Sequence, residues 1–149
     1  MARGPNRDST RTWRSFLEAH ARLVAAIERD LAQGGHVSLA WHDVLAQLAD
    51  AGGRLRMQEL ARSVLLSKSG LTRLVDRMEA AGLVRRQPAP EDARGTVAVI
   101  TAAGRAALRR SAPVYDRAVR EYFTSALTDS ELRAIASGLG KVAQRAPSR

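Results

Sequence analysis

Residues whose types and spacing could do chemistry cluster between positions 67 and 95. Ser69, Thr72, Arg73 and Asp76 recur at intervals of three and four, so on a helix they share one face. Lys68 and Arg77 flank that face, and Ser67 is placed to cap the helix that carries it. Short hydroxyls let such a helix approach another surface closely. Long cations reach phosphates or guanine edges. The opposite face, Leu71, Leu74, Val75 and Met78, forms an apolar stripe. Gly70, inside the first turn, costs about 1 kcal/mol relative to Ala; either close backbone approach or a frayed turn accounts for it. Further on, Arg85 and Arg86 lead into the turn-rich run PAPEDARG. There Asp92 can bond its own backbone and Gly95 can take a positive φ. Arg94 then projects outward, where a narrow minor groove attracts a guanidinium. A few arginines on a surface helix, or one on a hairpin, are commonly just solvated. Two basic elements on one compact unit carry more weight.

The composition points the same way. Lys and Arg number 24 against 15 Asp and Glu, a net charge of +9 over 149 residues, which fits a polyanionic partner. All the basic residues except Lys68 and Lys141 are arginines. Arginine favours forked contacts to phosphate and guanine, although a GC-rich genome gives the same bias. Cysteine is absent, which excludes disulfides, thiolate metal sites, cysteine nucleophiles and thiol redox sensing. No apolar run approaches the roughly 20 residues that span a bilayer, and no secretory h-region opens the chain. The expectation is a soluble cytoplasmic protein with no membrane partner.

The elements that must position these residues read as follows. Residues 1–11 form a flexible basic tail. A long helix follows over 12–33, with Trp13, Phe16, Leu17, His20, Leu23, Val24, Ile27 and Leu31 on one stripe. Ser38 caps a second helix bearing Trp41, Val44, Leu45 and Leu48. A short helix spans about 57–64, a tight connection follows, and the helix from Ser67 runs to about Ala81, where Gly82 stops it. Two strands, 83–87 and 96–101, flank the turn-rich run. A fifth helix continues from Thr101 to about Leu127 with Pro113 set to kink it. Thr128 and Glu131 form a capping box for the last helix. The pattern is mainly α with a small β-hairpin wing: a winged helix-turn-helix over 38–101, flanked by helices at 12–33 and 102–145. The stripes on the flanking helices are wider than a small winged unit can cover, so they call for a partner, and a second copy is the usual one.

The run from Leu55 to Arg105 resembles the core of the MarR family of bacterial transcription regulators. ELA, SKSGLTRLVDRME, GLVRR, D-x-R-G and ITAAG occur in that family's order and spacing. Arg56 departs from the Ser or Thr the family often has before the first of these helices. The resemblance implies a homodimer on a pseudo-palindromic operator in double-stranded DNA. It implies that Ser67, Lys68, Ser69, Thr72, Arg73 and Arg77 match major-groove or phosphate positions. It also implies that Arg94 matches the wing arginine and that Asp92 buttresses an arginine, Arg77 or Arg94.

Family members often release DNA when a phenolic or aromatic effector binds beneath the dimerisation helices. Trp13, His20, Trp41 and His42 are the candidates for such a pocket, with a plain aromatic core as the simpler account. Arg54 or Arg56 could meet a carboxylate. No cofactor is expected. Metal sensing is disfavoured because the three histidines lack ligand-like spacing. The leading reading is a sequence-specific, ligand-responsive repressor. The alternatives are a non-specific DNA-organising protein and a winged helix used only for protein contact. No nucleophile–base pair or phosphate-cradling loop suggests an enzyme.

Overall fold

The computed structural model describes residues 7–64, 66 and 68–146. Its elements are α1 (Arg7–Gln33), α2 (Leu39–Asp50), β1 (Arg54–Arg56), α3 (Met57–Ser63), α4 (Lys68–Ala80), β2 (Val84–Ala89), β3 (Asp92–Ile100), α5 (Ala102–Tyr122), one 3-10 turn (Thr124–Ala126) and α6 (Asp129–Arg145). The chain is mainly helical with a small antiparallel sheet, in the order expected for a winged helix-turn-helix. Ser67 lies outside the described residues.

Local chemistry sets most boundaries. The Ser38 hydroxyl accepts the Trp41 amide at 3.3 Å and starts α2. Gly82, at φ +74°, ends α4: its amide reaches the Glu79 carbonyl, and the Leu83 amide reaches Met78. Thr101 caps α5 by accepting the Gly104 amide, while its hydroxyl donates to the Gly82 carbonyl at 2.7 Å. A Cβ at Gly104 would collide with the Leu83 carbonyl oxygen, so this close crossing of α5 over the α4–β2 turn requires glycine. Thr128 and Glu131 form the anticipated capping box of α6.

Three expectations are corrected, and the expected hairpin wing is extended by a strand. The tail read over 1–11 is helical from Arg7 onward. Polar residues carry no apolar period, yet Asp8 suits the first turn and the Thr12 hydroxyl bonds the Asp8 carbonyl. The wing belongs to a three-stranded sheet in the order β1-β3-β2, with Arg54 opposite Val99 and Arg56 opposite Val97. The strands consume most of PAPEDARG, and only Pro90 and Glu91 make the turn. Pro88 is tolerated because β2 is an edge strand with a register shift beside it. Finally, α5 runs through Pro113 but stops at Tyr122. The Thr124 and Ser125 hydroxyls bond back to the Arg120 and Glu121 carbonyls and compete with the helical ladder.

Two apolar clusters result. The larger joins α2, α3, α4 and the sheet around Leu45, Leu48, Leu60, Leu71, Val75 and Met78. The smaller, Ile27, Leu31 and Ala118, holds α1 against α5. Toward its N-terminus α1 leaves Trp13, Phe16 and Leu17 exposed, and α6 leaves Leu139 and Val142 exposed.

Candidate nucleic-acid interface

Burial of Leu71, Leu74, Val75 and Met78 fixes the rotation of α4. The same rotation turns Lys68, Ser69, Thr72, Arg73, Asp76 and Arg77 outward, as their spacing requires. The Thr72 hydroxyl donates to the Lys68 carbonyl at 2.8 Å. Between α4 and the wing lies a concave groove of about 660 Å³. It brings together Lys68, Thr72, Asp92 and Arg94 from the expected set, and adds Arg56, Gln58 and Thr96. Ser69, Arg73 and Arg77 do not line it; they sit on the exposed flank of α4.

The electrostatics depend on which charges are already committed. Residues 38–101 hold nine basic and seven acidic residues, so the unit's net charge is small. Two of those acids, Asp76 and Asp92, line the groove, and each holds a protein group. The Asp92 carboxylate accepts the Arg94 backbone amide at 3.0 Å. It therefore supports the wing arginine through the main chain, and the expected choice between the Arg77 and Arg94 side chains resolves to neither. Asp76 pairs with Arg86 at 2.7 Å. Among the described residues no ion pair engages Lys68, Arg73, Arg77 or Arg94.

Arg86 has a role that its place in the sequence does not announce. Its side chain is 24% exposed, and the guanidinium meets Asp76 and the Glu79 carboxylate, the latter at 2.9 Å. It also meets the Thr72 carbonyl at 3.0 Å, and its own amide donates to Glu79 at 2.7 Å. Four bonds thus strap β2 to α4, and charge-assisted bonds of this kind are among the stronger ones. Arg86 is a strut between helix and wing. Arg56 also acts locally: Glu59 accepts its amide at 3.1 Å, the half of a capping box that needs no Ser or Thr, and its guanidinium reaches toward Glu91 at 3.6 Å.

The four pocket candidates do not converge within one chain. Trp13 stacks on Phe16 at 5.9 Å and Phe16 on His20 at 6.4 Å, on an exposed stretch of α1. Trp13 stands fifteen residues, about 22 Å, along the helix from Glu28, whose carboxylate accepts the Leu39 amide where α2 begins. Trp41 packs against the winged core. His42 is 5% exposed, stacked on Tyr115 at 4.5 Å and bonded to Ser111 at 2.8 Å, both on α5. Burial lowers its pKa, against the opposing pull of Asp43 and Asp116. Among the described residues no group of three or more acidic or histidine side chains could hold a metal ion, and no helix is long and apolar enough to cross a membrane.

Comparison with known proteins gives the arrangement a family. A MarR family model matches residues 37–95, the winged unit. Among solved structures the chain is similar to AbsC, a MarR family transcriptional regulator from Streptomyces coelicolor, at 33% identity and a TM-score of 0.88, over 96% of this chain and 97% of that one. It is similar to Sco3205, a MarR family transcriptional regulator from the same organism solved in complex with DNA, at 32% identity and a TM-score of 0.89, over 97% and 91% of the two chains. BpsR of Bordetella bronchiseptica, whose DNA binding is regulated by 6-hydroxynicotinic acid, shares the fold at 21% identity and a TM-score of 0.77, over 89% and 98%. Among curated protein sequences none matches the chain. With a third of its residues shared across nearly the whole length of AbsC, the chain belongs to the MarR family of transcriptional regulators.

Proposed function

We propose that the protein is a sequence-specific regulator that binds double-stranded DNA as a homodimer on a pseudo-palindromic operator, and that it acts as a ligand-responsive repressor. The observation that carries the reading is the groove in which Lys68, Thr72 and Arg94 converge while Asp76 and Asp92 are occupied by Arg86 and the Arg94 amide. A helix with free cations and a hydroxyl suits the major groove, and the wing arginine suits the adjacent minor groove. In this reading Lys68, Ser69, Thr72, Arg73 and Arg77 contact bases and phosphates, Ser67 completes the set at the helix start, and Arg94 enters the minor groove. The DNA complex of Sco3205 supports it. The exposed apolar residues of α1 and α6 support dimerisation, which sets two recognition helices about 34 Å apart, one turn of duplex.

The test compares a duplex from upstream of the protein's own gene with a scrambled duplex at fixed, physiological salt. A specific regulator prefers its site by about 10³-fold or more. Equal affinities would instead indicate the non-specific DNA-organising alternative, and no duplex binding would indicate a protein-contact module.

A further inference from the structure

His42 sits in the wall of a cavity of about 530 Å³ between α1, α2 and α5. Its hydrogen bonds determine what that wall offers. Ser111 Oγ lies 2.8 Å from His42 Nδ1 and 3.2 Å from the Leu108 carbonyl oxygen. A hydroxyl has one proton and a carbonyl can only accept, so when both bonds form together Ser111 donates to Leu108 and accepts from the ring. In that arrangement Nδ1 carries the proton of the neutral imidazole, and Nε2 keeps a bare lone pair. Nε2 has no partner among the described residues, yet no fully buried polar side-chain atom lacks one. Nε2 thus keeps some access to solvent, in a residue that lines the cavity and is 5% exposed as a whole.

The rest of the lining has the same polarity. Glu28 and Asp43 bring carboxylates from α1 and α2, and neither lysine nor arginine lines the cavity. Glu28 commits one oxygen to the Leu39 amide, and Asp43 is bonded by Gln47. Each carboxylate has a second oxygen. Tyr115 supplies an aromatic ring, and Val24 and Leu39 supply apolar wall. The site therefore presents acceptors and negative charge beside an apolar, aromatic surface. An anionic effector would meet two like charges and no counter-cation.

We propose that this cavity takes a small organic amine in its ammonium form, donating to Asp43 and to His42 Nε2 while its hydrocarbon body lies against Tyr115 and the apolar wall. Cation–π attraction to the ring adds to the fit. The proposal rests on the ligand-responsive reading above and narrows it to a charge class opposite to that of 6-hydroxynicotinic acid, the regulator of BpsR. It also runs against the protein's net charge of +9, which on its own favours anions.

The experiment uses the full chain and two matched probe pairs, titrated by calorimetry: tyramine against hydroxyphenylpropionate, and benzylamine against phenylacetate. At least one amine is expected to bind at least about tenfold more tightly than its carboxylate counterpart. Asp43→Asn is expected to remove that preference while the thermal melt stays cooperative. Nitrogen-15 spectra of the histidines give an independent reading: one ring shows the Nδ1–H tautomer, and its Nε2 signal moves when the amine is added. Carboxylates binding as well as the amines, or no amine binding into the millimolar range, would overturn the proposal. So would an amine preference that survives Asp43→Asn. Release of the operator duplex separates this proposal from the reading beneath it. If a carboxylate releases DNA and the amines do not, the protein is ligand-responsive and the amine assignment is wrong. If an amine binds through Asp43 and DNA affinity is unchanged, the amine assignment holds and ligand control does not.

Discussion

The winged unit and the helical framework bury their apolar faces to very different degrees. Within the winged unit α2 and α4, of 12 and 13 residues, each bury four residues. In the framework α1 buries only Ile27 and Leu31 over 27 residues, and α6 buries none over 17. Trp13 is 56% exposed and Val142 60%. An amphipathic helix gains little from its apolar stripe until something covers it. The difference teaches that the winged unit covers its apolar faces within one chain and that α1 and α6 do not. In the proposed dimer the part that reads DNA is packed within one chain, whereas the spacing between two such parts would depend on apolar surfaces that the single chain leaves exposed.

The most severe way to break this comparison is to deny the framework its cover. Leu139→Asp combined with Val142→Asp changes two residues that are exposed in the single chain, so the winged core stays folded. Light scattering is expected to show monomers. Operator affinity is expected to fall by about 10²–10⁴-fold, because two linked half-site contacts become one. A dimer that persists with unaltered affinity would mean that the pairing uses another surface.

The next two predictions sharpen the division inside the winged unit between cations that face outward and the one that holds the unit together. Arg94→Ala is expected to weaken operator binding by about 1–3 kcal/mol and to lower the salt slope by about 1. An unchanged dissociation constant and slope would count against the wing assignment. Arg86→Lys retains charge but cannot reproduce a fork shared by Asp76, Glu79 and the Thr72 carbonyl. The expected cost is about 1 kcal/mol in unfolding stability, with a smaller loss of affinity than for Arg94→Ala and an unchanged salt slope. A reduced slope in this variant would show that Arg86 neutralises a phosphate and is not a strut.

The same division marks what the sequence could reveal. Signals that live within one turn of chain were legible: the Ser38 cap, the Thr128–Glu131 box, the stop at Gly82 and the two faces of α4. Signals that depend on remote partners were not. Nothing in Arg54-Leu55-Arg56 announces a strand, because β1 exists only through its pairing with β3, more than forty residues on. Arg86 reads as one more surface cation until the fold sets it against Glu79 and Asp76. His42 was singled out, but its Ser111 partner lies 69 positions away, and neither spacing nor motif links them. Trp13 and His20 share a stripe with Ile27 and Leu31, and an apolar period shows which residues share a face without showing what stands opposite.

The smallest expected effect tests the seam where the two regions meet. His42 belongs to α2, while Ser111 and Tyr115, which hold its ring, belong to α5. Burial lowers the pKa of His42 in the folded chain, and Asp43 and Asp116 only partly offset this. Below the unfolded value of about 6.5 the unfolded chain binds a proton that the folded chain refuses. Stability is therefore complete above that pH and declines as the pH falls toward the lowered value. One proton limits the slope to about 1.4 kcal/mol per pH unit. Burial raises the pKa of Asp43, so at lower pH the folded chain takes up that proton first and the trend is countered. The His42 contribution is thus read in the window just below about pH 6.5, before Asp43 begins to titrate. Melting temperatures across this window are expected to fall in the native chain and to stay flatter in His42→Gln, whose amide can still donate to Ser111. Parallel slopes in the two proteins would show that acid acts elsewhere and that the seam is held by apolar contact alone.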